Sequence, residues 1–213
     1  MVKKHIVCFG DSNTHGFNPR TLGRYDEDTR WTCLLQKNLG NEYQVIEEGL
    51  GGRTTVFEDP LAEGLSGLNY IEPCLKTHKP VDLLVIMLGT NDCKERFNVN
   101  ALEIGIGLQR LIRKAKSVLC WGEHDPRILV VAPKSIADSY DPLSPVTVMG
   151  KGCDRKSKGV AKEFERIAKL EDVYFFNANK ILADRNLLDG VHLDEKGHKK
   201  LAENLSRIIK EIV

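Results

Sequence analysis

The chain has 213 residues, with 31 lysines and arginines against 30 aspartates and glutamates and a formal net charge of +1. So even a balance leaves no basic face for nucleic acid or an anionic membrane, and the expected partner is a small-molecule substrate or another protein subunit. The length suffices for one core that buries roughly 70% of the unfolded chain's surface, and a single domain over residues 1–213 is the expectation.

No apolar run reaches the roughly 18 residues of a membrane span. The opening "MVKKHIVCFGD" runs into a strand and not into a cleavable apolar segment, which reads as a cytoplasmic chain. Six cysteines (Cys8, Cys33, Cys74, Cys93, Cys120, Cys153) are widely spaced with no CxxC pair. Neither a zinc site nor a disulfide framework is indicated, and reduced thiols fit the same compartment.

In chain order, "HIVCFG" is a β-rich run ending at Gly10-Asp11-Ser12, and "RWTCLLQKNLG" is amphipathic and helical. "YQVIEEGL" predicts a strand ending at Gly49-Leu50-Gly51-Gly52, and "LNYIEPCLKTH" a helix. "VDLLVIMLG" is almost wholly apolar, as expected of a central parallel strand buried on both faces, and runs into Gly89-Thr90-Asn91-Asp92. A helical segment near Ala101 to Cys120, the strand "RILVVAP", a helical segment near Lys151 to Leu170, the strand "VYFFNAN" and a helix near Glu195 to Val213 complete the chain. This alternation predicts a doubly wound α/β fold on a parallel sheet of about five strands. The irregular stretch from Ala132 to Gly152 is too long for a simple connection and reads as a lid, a substrate wall or a subunit contact, with a disordered loop as the alternative. Its residues Leu143, Val146, Val148 and Met149 offer an apolar surface for a homo-oligomer.

In such sheets ligands sit outside the carboxyl ends of the strands. Those ends carry Asp11 and Ser12, then Gly51 and Gly52, then Asn91, while the last strand leads toward Asp189-Gly190-Val191-His192. A serine hydroxyl attacks well only when a base takes its proton, and an imidazole does so best when a carboxylate fixes its tautomer. Asp189 and His192 supply that pair, and Ser12 the hydroxyl. The N–H groups of Ser12 and Gly52 and the amide of Asn91 supply donors for an oxyanion. Each position also has a plain reading: Asp11 or Ser12 as a helix cap, His192 as a structural histidine, the glycines as a turn, Asn91 bonded to its own backbone. None of these explains why all lie on one edge. Asp11, with an ordinary carboxylate pKa of about 3.9, is no base; it can orient the serine loop. Asp11, Phe17, Arg53 and Lys94 stand as candidate substrate-binding residues, the two cations for a polar acyl or sugar group, with solvated surface charge as the alternative. His198 falls inside the last helix and reads as packing. A metal cluster of Asp189, His192, Asp194 and His198 shows no recognised zinc spacing, so neither metal nor other cofactor is expected. A different class of reading, a non-catalytic flavodoxin-like module binding a phosphorylated ligand at the same rim, lacks the GxGxxG or Walker-type loop it needs.

With "FGDSNTHG", "EEGLGGRTT", "IMLGTNDCK" and "LDGVHLDEKGHKKLA" in this order, the chain resembles the SGNH/GDSL hydrolase superfamily over nearly its whole length. By "DTRWTCLL", "VIEEGLGGRTT" and "VDLLVIMLGTNDCK" it is similar to the bacterial arylesterase/acyltransferase group within it. The resemblance implies a flavodoxin-like three-layer α/β/α sandwich. It also implies a Ser12 nucleophile, a His192 base with Asp189 as partner, and an oxyanion hole of Ser12, Gly52 and Asn91. The implied activity is a serine esterase acting on short-chain acetyl or aryl esters, with acyl transfer to alcohols, and a carbohydrate acetyl esterase is the nearest alternative. Asn13 departs from the leucine in the family's name, and His15 and Phe17 stand where the arylesterase group tends to carry large aromatics.

Overall fold

The computed structural model describes residues 2–213. Strand β1 (Lys4–Gly10) leads into one helical turn, α1 (Ser12–His15), then a small hairpin of β2 (Phe17–Asn18) and β3 (Gly23–Arg24), and helix α2 (Trp31–Leu39). There follow β4 (Tyr43–Gly49), α3 (Gly67–Thr77), β5 (Leu83–Met87), α4 (Ala101–Lys116), β6 (Ile128–Ala132), α5 (Cys153–Leu170), β7 (Tyr174–Asn177) and α6 (Glu195–Ile212).

Every residue of β5 and β6 is buried, so neither strand has a face that water can solvate, and helices must cover both sides of the sheet. The five long strands pair in parallel in the order β4-β1-β5-β6-β7. Alternation along each strand divides the core in two. Val7, Phe9, Leu84, Ile86 and Val130 pack with Ile71, Leu108 and Phe164 of α3, α4 and α5. Ile6, Cys8, Leu83, Val85 and Leu129 pack with Leu35 and Leu205 of α2 and α6. The result is the expected three-layer α/β/α arrangement.

From β1 the chain moves outward to β4 and then returns to the other side of β1 as β5. The order thus reverses at β1, which opens a crevice beyond the carboxyl ends of β1 and β5. Gly10 lies level with Gly49 on one side and Met87 on the other, so the segments that follow the three strands emerge together. Gly49 is required here by close approach: a Cβ at this position would lie 2.1 Å from the backbone nitrogen of His15. Its bare backbone lets α1 lie across the end of β4.

The β2–β3 hairpin was not among the expected elements, because two-residue strands carry no readable period. The helical segment expected to reach Cys120 stops at Lys116; its start is set by a capping box in which Asn100 Oδ1 accepts the Glu103 N–H at 3.1 Å and Glu103 Oε2 accepts the Asn100 N–H at 2.7 Å. The stretch after β6 is packed: Ile136, Ala137, Tyr140 and Met149 are buried, and Tyr140 Oη donates to the Gly150 carbonyl at 2.7 Å. Among the described residues no helix is long and apolar enough to cross a membrane.

Candidate active site

β1 runs out at Gly10, and Asp11 starts the next turn by accepting the Asn13 N–H at 2.9 Å through Oδ1, which leaves Ser12 as the first residue of α1. At the other end of the chain Asp189 Oδ1 accepts the N–H groups of Val191 at 3.0 Å and His192 at 2.8 Å, closing a tight loop before α6. The second oxygen of that carboxylate lies 2.7 Å from His192 Nδ1, and His192 Nε2 lies 3.0 Å from Ser12 Oγ. One carboxylate therefore shapes the loop and holds the ring. It favours the Nδ1–H tautomer and leaves the Nε2 lone pair facing the serine hydroxyl. Burial pushes Asp189 upward, but the hydrogen bond and charge of His192 and the two backbone N–H groups outweigh it and hold the carboxyl below its ordinary range. Phe17 covers the imidazole, the ring centroids 4.8 Å apart and the planes tilted by 59°.

Ser12, His192, Gly52 and Asn91 all line one cavity of about 320 Å³. Gly52 has φ +84°, so the loop after β4 turns through a conformation that suits glycine, and its N–H is not shielded by a side chain. Asn91 Nδ2 donates to the Arg53 carbonyl at 3.2 Å, which holds the amide against the Gly52 loop. Asp92, fully buried, accepts the Thr55 N–H through both oxygens, at 3.0 and 3.2 Å, and the Thr55 hydroxyl. These bonds tie the loop after β5 to the loop after β4. A larger cavity of about 650 Å³ beside Lys79, Trp121 and Pro126 lies at the opposite, amino-terminal edge of the sheet and contains none of these residues.

Of the four candidate substrate-binding residues, Phe17 and Lys94 line the cavity; Asp11 and Arg53 do not. Arg53 is a strut below it. Its Nη1 donates to the carbonyls of Gly10, at 3.0 Å, and Glu48, and its guanidinium lies 4.2 Å over Phe9 and 5.2 Å from Tyr70. Asp11 is 1% exposed beneath Ser12. Burial pushes it up to about 6, against the opposing Asn13 N–H and the charges of His192, Arg53 and Lys94. Lys94 Nζ lies 3.3 Å from Asp59 Oδ2, while Arg96 takes both oxygens of Asp59, at 2.9 and 2.7 Å. Burial, then the charge of Arg96, pull Lys94 below its ordinary value although Asp59 opposes them. Asp59 and Arg96 were not anticipated from the sequence, since nothing in a linear reading pairs residues in two separate loops.

The cavity lining also includes Leu61, Leu65 and the run from Val146 to Met149, so the irregular stretch after β6 supplies part of the cavity wall. Of its apolar residues expected at the surface, Leu143 is 81% exposed but Met149 only 2%. Met149 packs inward and is withdrawn from any subunit contact.

Asn13 has a role the sequence did not reveal. Its Nδ2 donates to the Val191 carbonyl at 3.3 Å and its Oδ1 accepts the Leu193 N–H at 2.9 Å. The residue after the serine thus grips the backbone on both sides of His192. His198 is fully buried, accepts the Trp31 N–H at 3.3 Å on Nδ1 and meets Tyr25 edge-on; burial pulls it down to about 4. With His192 engaged by Ser12 and Asp189, and His198 by Trp31, the four residues weighed as a metal cluster are not gathered. Among the described residues Glu48, Cys74 and His78 do bring ligand atoms within 4.8 Å of one another, but His78 Nε2 is already paired with Glu48 at 2.6 Å.

A model of the GDSL-like lipase/acylhydrolase family matches residues 8–200. Over 99% of this chain and 100% of the other, the structure is similar to the native aryl esterase of M. smegmatis, at 34% identity and a TM-score of 0.89. Over the same shares it is similar to a carbohydrate acetylesterase from Sinorhizobium meliloti, at 33% identity and a TM-score of 0.90. An acetylxylan esterase of Xylanibacter ruminicola is 25% identical over 232 residues; the match takes in 96% of this chain but 43% of that protein, so the chain spans less than half the length of this curated relative.

Proposed function

Because the chain belongs to the GDSL-like lipase/acylhydrolase family, we propose that it is a serine esterase that cleaves short-chain acyl esters through an acyl-enzyme. One observation carries the reading: Ser12 Oγ, His192 and Asp189 form a continuous hydrogen-bonded relay, at 3.0 and 2.7 Å, that opens into the cavity lined by Gly52 and Asn91. His192 Nε2 takes the hydroxyl proton as Oγ attacks the ester carbonyl, and Asp189 steadies the imidazolium that forms. The carbonyl oxygen, now negative, is met by the N–H groups of Ser12 and Gly52 and the amide of Asn91. His192 returns the proton to the leaving alcohol as the ester C–O bond breaks. Water then enters, and His192 removes its proton as the water oxygen attacks the acyl carbon. His192 passes that proton to Ser12 Oγ as the bond between Oγ and the acyl carbon breaks, releasing a carboxylic acid; an alcohol in place of water gives acyl transfer. The steps draw on the chain's own side-chain and backbone groups and call for no cofactor.

A carbohydrate acetyl ester is the second substrate reading, favoured by the similarity to two acetylesterases of carbohydrates. The phosphate-binding alternative accounts for neither the imidazole held against Ser12 nor the carboxylate behind it. Six free cysteines support a reducing, cytoplasmic setting. The continuous sheet with a core on each face supports reading the chain as one domain. Exposed Leu61, Val146 and Val148 at the cavity and exposed Leu143 in the same stretch as the two valines support self-association, to be read by sedimentation.

Treatment with a fluorophosphonate is expected to label Ser12, located by mass spectrometry, and para-nitrophenyl esters of increasing chain length set against acetylated sugars rank the substrates. Ser12→Ala is expected to abolish labelling and nearly all turnover while the circular dichroism spectrum is unchanged. A variant that retains most of its activity would end the nucleophile assignment.

A further inference from the structure

The cavity that His192 lines also carries an unequal set of charges. Asp59, Lys94 and Arg96 all line it, two cations to one carboxylate. The pairing within the set is also unequal. Arg96 engages Asp59 through two short bonds, while the Lys94 ammonium makes a single bond to the same carboxylate at 3.3 Å. Asp59 is held at about 2; burial opposes this, but Arg96, the Leu61 N–H and Lys94 prevail, so the carboxylate is fully ionised and already spoken for. Lys94 is 5% exposed. An ammonium has three donors, and this one leaves two without an acceptor among the described residues. A buried cation in that condition is costly unless something else meets it. It also sits beside the reacting centre, since a Cβ built on Gly52 would lie 3.8 Å from Nζ.

From this juxtaposition we infer that the site is built for esters that carry a carboxylate or similar anionic group besides the scissile bond, with Lys94 as the residue that receives it. The inference rests on the esterase reading above and narrows its substrate class. The Asp59–Arg96 pair holds itself together, so Lys94 is free to exchange its long bond for a substrate oxygen without stranding Asp59. Leu61, Leu65 and Val146 around it supply the apolar surface that lowers the local dielectric and strengthens the attraction.

Two matched pairs of esters test this. On the alcohol side, the acetate ester of para-hydroxyphenylpropionic acid is compared with the same compound as its methyl ester. On the acyl side, the monophenyl ester of adipic acid is compared with its methyl ester. The expected result is a kcat/KM about tenfold higher for the anionic member of at least one pair, about 1.4 kcal/mol, with the lead shrinking as salt is raised. Lys94→Gln is expected to bring that ratio close to one, and Lys94→Arg, which keeps the charge, to preserve most of it. Equal or better turnover of the neutral members in both pairs would overturn the inference and leave the esterase reading standing. An unchanged ratio in Lys94→Gln would remove Lys94 from it. Turnover of no ester, with Ser12 unlabelled by the fluorophosphonate, would end both. Should the glutamine variant fail to fold, the wild-type ratio and the arginine variant still decide the matter.

Discussion

Ser12 is an ordinary alcohol until an imidazole lies against it, and the imidazole is useful only in one tautomer. Asp189 secures that tautomer with one oxygen and the loop with the other. On the proposed mechanism each oxyanion donor can be removed singly, so Asn91→Ala is expected to lower kcat by about 10²–10³, the usual loss for one oxyanion donor. A change confined to KM would assign Asn91 to binding alone. Asn13 acts at one remove, through the backbone of Val191 and Leu193. Asn13→Leu keeps the branched outline of the side chain at a larger volume, breaks both bonds and strands the buried Leu193 N–H. It is expected to cost about 1–3 kcal/mol of stability and to lower kcat more than KM, read from urea titrations and steady-state kinetics. Retention of kcat in Asn13→Gln, which keeps the amide but lengthens the side chain, would show that the chemistry of the bond and not its reach matters. The serine, the histidine and the aspartate could be picked out in the sequence because each stands in a short block beside a predicted strand end or helix start. Asn13 could not, because its partners lie 178 and 180 positions away.

At the scale of elements, the site exists because three strand ends are level and their following segments cross without clashing. Gly49 marks the tightest approach to backbone. Gly49→Ala would drive a methyl into the His15 backbone, and overpacking of this kind typically costs about 1–3 kcal/mol. Because the displaced segment is α1, which begins with Ser12, kcat is expected to fall along with the urea midpoint. A variant that loses stability but keeps full kcat would show that β4 absorbs the strain in place of α1. The strands and long helices were legible as alternating apolar periods. The β2–β3 hairpin and the packed course of the stretch after β6 were not, since irregular backbone is specified by its partners and not by a period.

For the molecule as a whole, three buried titratable groups oppose one another. Burial pulls His198 down to about 4, so the folded state holds it neutral while the unfolded chain takes up a proton below the ordinary value of 6.5. Its contribution is complete above that value and is lost as pH falls from 6.5 toward 4. Asp11 and Asp92 behave in the opposite sense. Burial raises each from 3.8 to about 6, so the folded state binds their protons first and gains stability as pH falls from 6 toward 3.8. His198→Asn, whose amide oxygen can still accept the Trp31 N–H, isolates the histidine. The stability gap between wild type and variant is expected to narrow on acidification across that window by about 1.4 kcal/mol per pH unit, measured by urea unfolding at a series of pH values. A constant gap would mean that His198 keeps its ordinary proton affinity.

The amino-acid sequence by itself determined the layered α/β architecture, the parallel character of the sheet and the rim at which Ser12, Gly52, Asn91 and His192 meet, because apolar period and the residues at strand ends are local properties. It also carried the serine, the imidazole and its carboxylate as separate blocks in a given order. Only the tertiary structure decided which charges enter the cavity. Arg53 and Lys94 both lie in loops at the same edge, yet one guanidinium is spent on the carbonyls of Gly10 and Glu48 while the other cation lines the cavity with Ser12 and His192. Such a choice depends on acceptors brought from distant parts of the chain, and electrostatic environment is a property of that convergence and not of any segment read alone.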